Sequence, residues 1–162
     1  MSRYVIDTNV AIVANGSSVG VTDRCRLAAI EILLAALKNG VIFLDTEGKV
    51  QTEYGRHLKP RGQPGVGDRF YLEIINSNPK RVQRVDLLRK PNGEYVDLPQ
   101  RVVDAGFDPS DRVFAALAKK TKSKVHNAVD TDWLEKLDVL QACGIKVVFV
   151  CGTDSQRWRE AP

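Results

Sequence analysis

A chain of 162 residues, 43% hydrophobic and 27% charged, has material for one folded core and too little for two, with none of the bias of a disordered or fibrous protein. No apolar stretch approaches the ~20 residues that a membrane-spanning helix requires, so no membrane partner is expected. The net charge of +4 suits a polyanion and serves plain solubility equally well, and by itself assigns no function.

Tyr4 to Asp7 is a short apolar run ending on a carboxylate, the pattern of a buried strand. After a turn at Asn15 to Gly20, Thr22-Asp23 supplies a helix cap. Leu27, Ile30, Leu33, Leu34 and Leu37 then repeat at three-and-four spacing until Asn39-Gly40 ends the helix. This apolar face is expected in the core, with a homodimer as the alternative. Val41 to Leu44 is a second apolar run, ending at Asp45. Glu47-Gly48 turns the chain, and Lys49 to Glu53 follows as a short strand or the lead-in to a helix.

Arg61 to Gly67 is loop, and Asp68 to Asn76 is helical. Val82 to Leu88 and Glu94 to Leu98 flank Pro91-Asn92-Gly93, which predicts a hairpin-like insertion near 82–98. Asp108-Pro109 opens a helix that runs through Ala118. Lys124 to Val129 is a strand ending at Asp130, Asp132 to Ala142 is helical, and Ile145 to Cys151 is the last strand. The alternation predicts an α/β chain, a three-layer α/β/α sandwich around a mostly parallel sheet. Residues 1–152 are expected as one domain and 153–162 as a tail.

Cys25, Cys143 and Cys151 are odd in number, widely spaced and without a CxxC pair. All three read as small core residues rather than ligands or bridges, which argues for a reducing compartment. The opening residues carry no charged-then-apolar signal pattern, so a cytoplasmic protein is expected.

Three of these apolar strands end in an aspartate: Asp7, Asp45 and Asp130. In an open parallel sheet the carboxyl ends of the strands share one edge, where ligands bind. Carboxylates gathered there repel one another unless hard cations such as Mg2+ or Mn2+ neutralise them. In FDPSDRVFAALA, Asp108 fits a helix cap and Pro109 the first helical position. Asp111 then sits in the first turn, where it joins the acidic group if that helix end faces the sheet edge.

These segments resemble a known family. Tyr4-Val5-Ile6-Asp7-Thr8-Asn9 is similar to the opening strand of PIN domains, and Asp111 to Ala118 to that family's third acidic motif. Asn127-Ala128-Val129-Asp130-Thr131-Asp132-Trp133 resembles its fourth. The resemblance spans nearly the whole chain in the right order. It implies a PIN-like fold and a Mg2+- or Mn2+-dependent endonuclease, acting on RNA in preference to DNA and leaving a 5′ phosphate. Carried over by position, Asp7, Asp111 and Asp130 would bind one or two metal ions. Asp132 would be an auxiliary ligand or hold a water, and Asn9 would orient Asp7.

The family also places a Glu after the second strand. Asp45, Glu47 and Glu53 are the candidates, and Glu53 is preferred because an apolar lead-in precedes it and a helix-like basic stretch follows. Asp45 stays open. Arg56, Lys59, Arg61 and Arg69 surround the Gly-rich loop close to Glu53 and are expected to guide nucleic acid. The lysines at 119–124 read as a solvated helix end, and His126 as structural. Whether the role is that of a toxin held by a protein inhibitor or of an RNA-processing enzyme stays open. A nucleic-acid-binding or scaffold module without activity, or a nuclease specific for flap or branched DNA, is the alternative.

Overall fold

The structure, a computed structural model, describes residues 1–161. Its middle strand is β1 (Ser2–Ile6). On one side lie β2 (Gly40–Asp45) and then β3 (Val82–Val85), and on the other β4 (Lys124–Asn127) and then β5 (Lys146–Phe149), in the order β3-β2-β1-β4-β5. All four pairings are parallel, with Tyr4 level with Ile42 and with Lys124. Parallel strands need crossovers that cover both faces, which explains why the strands read as unbroken apolar runs. Val5, Ile6, Leu44 and Val125 are wholly buried.

The crossovers are α1 (Thr8–Ala14), α2 (Asp23–Asn39), α3 (Lys49–His57), α4 (Val66–Asn76), α5 (Gln100–Asp104), α6 (Arg112–Thr121), α7 (Thr131–Glu135) and α8 (Leu137–Ala142). α1, α2 and α4 pack on one another, α6 lies against β1, β2 and β4, and α5 meets α8. The result is a three-layer α/β/α sandwich around a parallel sheet. α6 is buried at every position from Val113 to Ala118, and its alanines let it sit close to the sheet. Gly67 does the same for α4: a Cβ there would meet the Ala11 carbonyl oxygen at 2.0 Å, so the two helices can touch only through a glycine.

Several expectations change. α1 was not foreseen, because a seven-residue segment rich in β-branched side chains carries little helical signal. Asp7 nucleates it as its N-cap. Val82–Val85 is the edge strand of the main sheet rather than a hairpin arm, and only one antiparallel bridge, Arg89 to Tyr95, survives of the hairpin. The helix expected from Asp132 to Ala142 is divided at Lys136. Along α2, Leu33 is buried but Leu27 and Leu34 are 56% and 54% exposed, so the repeat there is not all core.

The cysteine reading is corrected. Cys25 and Cys151 form a disulfide across 126 residues, and Cys143 is free. The N-terminus of α2 and the chain leaving β5 meet, which no local spacing could reveal. The argument for a reducing compartment fails with it. The expected tail also folds back: Trp158 is buried, Val21 bridges Arg159, and the Thr22 and Glu160 amides bond to the Trp158 and Gly20 carbonyls. Among the described residues no helix is long and apolar enough to cross a membrane.

Candidate metal centre

The strand order reverses between β1 and β4, and the crevice at the carboxyl ends of such neighbours is where open α/β sheets hold ligands. Asp7 leaves β1 there and Asp130 follows β4. Each caps the helix that comes next: Asp7 Oδ1 accepts the Asn9 amide at 3.1 Å, and Asp130 Oδ1 accepts the Asp132 amide at 2.9 Å. Asp111 arrives from the opposite layer. It closes a 3-10 turn, Pro109–Asp111, that leads into α6 and is capped by Asp108 through the Ser110 amide and hydroxyl. Asp7, Asp111 and Asp130 each offer an oxygen within 4.8 Å of the others.

Nothing cationic balances them. None of the three forms an ion pair among the described residues. Burial pushes the Asp7 carboxyl up to about 6, with the charge of Asp130 adding to it, while the Asn9 amide and the Trp133 indole pull the other way. Asp111 is pushed up to about 9, first by burial and then by the charges of Asp7 and Asp130. Both shifts mark carboxylates that ionise together only against a compensating charge.

The surrounding bonds hold two of the three in fixed relation. Asn9 donates from Nδ2 to Asn127 Oδ1 at 2.8 Å, and its own Oδ1 accepts the Ala128 and Val129 amides. Asn127 Oδ1 also accepts the Asp130 amide, and Asn127 Nδ2 donates to the Asp130 carbonyl. Trp133 Nε1 donates to Asp7 Oδ2 at 2.6 Å. Asn127 and Trp133 were not singled out from the sequence for these tasks. Both lay inside the Asn127–Trp133 motif, but nothing local says where their side chains bond.

Glu53 lies outside the three. It sits on α3 with its carboxylate 3.0 Å from Arg56 and 3.3 Å from His57. Asp45 is buried and accepts the Lys49 and Val50 amides, so it caps α3. Glu47 pairs with Arg89. Asp132 accepts the Asp108 amide and so braces the turn that presents Asp111. Its own carboxyl is raised by burial.

The expected guiding residues are all exposed but do not form one group. Arg56 and Glu53 line a cavity of about 430 Å³ with Pro109 and Ser110, next to Asp111. Lys59 and Arg61 line a separate cavity with Tyr71, and Arg69 lines neither. His126 is buried, with Nδ1 3.3 Å from the Val5 carbonyl and its ring 4.9 Å from that of Tyr4.

No protein-family model matches the chain, and no curated protein does. A solved structure that does match is that of VapBC2 from Rickettsia felis bound to a DNA fragment from the promoter. It is 13% identical, with a TM-score of 0.49, over 91% of this chain and 98% of that one.

Proposed function

We propose that the chain is a nuclease that hydrolyses phosphodiesters, RNA in preference to DNA, at a Mg2+ or Mn2+ centre held by Asp7, Asp111 and Asp130. The observation that carries this reading is three carboxylates within 4.8 Å of one another and, among the described residues, no basic side chain paired to any of them. The resemblance of the segments around them to PIN motifs supports the same chemistry.

The residues present fit a hard divalent cation. Every available donor is a carboxylate oxygen, the class that Mg2+ and Mn2+ prefer. Thr8 Oγ1, on the residue after Asp7, is buried without a hydrogen-bond partner, and such an atom calls for a water or ligand. Bound there, the cation supplies neutralising charge and Lewis acidity, which acidifies a water and screens the phosphate.

The chain contributes the rest. Asp7 and Asp111 are nearly enclosed, which keeps competing water away and strengthens each electrostatic contact. Asp111, whose carboxyl burial and its acidic neighbours push up, would have to release its proton to hold the cation. Asn9 and Asn127 keep Asp130 in register with Asp7. No side-chain nucleophile is needed, and the two histidines are unsuited to a paired role: His126 is packed in the sheet and His57 faces Glu53. Arg56 shares the cavity next to Asp111 with Lys49, Arg89 and Arg112, a set of cations suited to meet a phosphate backbone.

The test is incubation of labelled single-stranded RNA and DNA with the protein in Mg2+, Mn2+ or EDTA. Cleavage is expected to need the cation, to leave 5′ phosphates, and to collapse in Asp7→Asn and Asp111→Asn proteins that remain folded. Cleavage that persists in EDTA, or in both variants, removes the proposal. Preference for DNA would keep the centre and change the substrate.

A further inference from the structure

We propose that Trp133 is a positioning residue: its indole N–H turns the Asp7 carboxylate so that the oxygens of Asp7 face a cation shared with Asp111 and Asp130. The inference rests on reading the acidic cluster as a metal centre. It concerns a residue whose bulk alone would explain its place in the core, since Trp133 is fully buried and stands edge-on to Phe107 at 4.8 Å and 68°.

Bulk does not explain the contact. Trp133 Nε1 lies 2.6 Å from Asp7 Oδ2, a charge-assisted bond inside the fold. A phenyl ring would fill much of the same space and make no such bond. The carboxylate torsion of an aspartate is broad and roughly two-fold, so a single donor leaves its plane free to swing. Asp7 has two: the Asn9 amide on Oδ1 and the indole on Oδ2. One donor on each oxygen fixes the plane and still leaves each oxygen a lone pair for a cation. Indole N–H only donates, so the contact holds Asp7 as an acceptor.

The geometry couples two ligands through one helix turn. Asp130 caps α7 by accepting the Asp132 amide, and Trp133 is the next residue along. α7 is therefore a bracket with one cluster carboxylate at its cap and the clamp on another in its first turn. A shift of α7 moves Asp130 and releases Asp7 together.

The experiment uses two readouts on the whole chain. Calorimetric titration with Mg2+ compares the parent protein with Trp133→Phe, checked for folding by circular dichroism. The expected result is affinity weaker by about 10–100-fold, the usual effect of removing a partner that orients a ligand. In parallel, the chain's two tryptophans give two indole N–H resonances. That of Trp133 is expected to shift as Mg2+ is added and in Asp7→Asn, and that of Trp158 to stay.

A folded Trp133→Phe protein that binds Mg2+ as tightly as the parent overturns the inference and leaves the metal centre standing. If that variant does not fold, the parent's spectrum decides. A Trp133 resonance indifferent to Mg2+, in a protein that binds it, also overturns the inference. A parent that binds no Mg2+ fails one step earlier and takes the metal-centre reading with it.

Discussion

Asn9 and Asn127, 118 residues apart, meet through a 2.8 Å hydrogen bond that ties the start of α1 to the end of β4. Each end of the pair does further work: Asn9 Oδ1 takes the Ala128 and Val129 amides, and Asn127 Oδ1 takes that of Asp130. The turn that presents Asp130 thus hangs on the residue two beyond Asp7. Only a side chain that both donates and accepts can fill either position.

Asn9→Ala is therefore expected to cost both stability and function. It strands two amides at the end of β4, and a buried donor left unpaired costs about 1–3 kcal/mol. Urea unfolding should show a lower midpoint, and Mg2+ affinity should fall because Asp130 loses its register with Asp7. Asn9→Asp should also fail, since a carboxylate can accept the two amides but not donate to Asn127. A variant at Asn9 with parental Mg2+ affinity would show that the pair is purely structural.

Asp111→Asn should separate stability from activity. In metal-free protein at neutral pH, the fold holds Asp111 protonated against its tendency to ionise once unfolded. Asparagine has no proton to hold, so that cost disappears. The variant is expected to melt higher than the parent in EDTA, at about 2–4 °C per kcal/mol gained for a chain of this length, while losing cleavage. A lower melting point in EDTA would mean that Asp111 contributes bonds that outweigh the repulsion.

The pH dependence of the metal-free protein follows from the same shifts. A carboxyl whose folded value is raised binds its proton in the folded state and not in the unfolded one, so stability falls as pH rises through the gap. Asp7 acts up to about 6 and Asp111 up to about 9. His126 works oppositely, because burial lowers its value from the ordinary 6.5 and favours folding as pH rises toward that point. The clean window is pH 7 to 9, where Asp111 acts alone. Thermal melts in EDTA should decline across it, and stabilisation by added Mg2+ should grow with pH. A flat profile in EDTA would remove the repulsion argument.

Much of the centre was legible because a parallel sheet turns a one-dimensional pattern into a place: apolar run, then aspartate, means a carboxylate at one edge. Asp7 and Asp130 could be read that way, and Asp111 from the cap chemistry before an Ala-rich helix. Glu53 was preferred on local criteria, the apolar lead-in before it and the helix-like basic stretch after it. Where α3 points is set instead by Asp45 capping it from β2. The Asn9–Asn127 bond, the Trp133 clamp and the Cys25–Cys151 bridge join residues more than 100 apart, and no spacing rule reaches that far. Pro91-Asn92-Gly93 misled in another way: its turn is real, but β3 before it belongs to the main sheet.

Glu53→Gln gives that difference an experimental form. Glu53 lies outside the three converging carboxylates and pairs with exposed Arg56 and His57, contacts that contribute little to stability. The variant is expected to keep Mg2+ affinity within about twofold of the parent, against the 10–100-fold losses typical of altered metal sites. Cleavage should change mainly through KM, as Arg56 is freed beside the cavity. A loss of Mg2+ binding as deep as that of Asp7→Asn would place Glu53 among the ligands after all.

The disulfide makes the last prediction, and it concerns the fold rather than the site. Cys25–Cys151 closes a loop spanning 126 residues. Constraining so long a loop in the unfolded chain is worth about 5 kcal/mol by the chain-entropy argument, with measured losses on removal of about 2–5 kcal/mol. The bridge also anchors the segment carrying Trp158, whose indole donates to the Gly152 carbonyl at 2.7 Å. Reduction, or a Cys25→Ser/Cys151→Ser double variant, should lower the urea midpoint. Tryptophan fluorescence, followed in a Trp133→Phe background so that Trp158 alone reports, should show loosening of the 152–160 segment before the sheet unfolds, because the bridge is the covalent tie between that segment's neighbour Cys151 and α2. The three carboxylates should still bind Mg2+ once reduced, since none of their bonds runs through either sulfur. Equal midpoints with and without reductant would show that the segment's own packing, led by Trp158, already holds it.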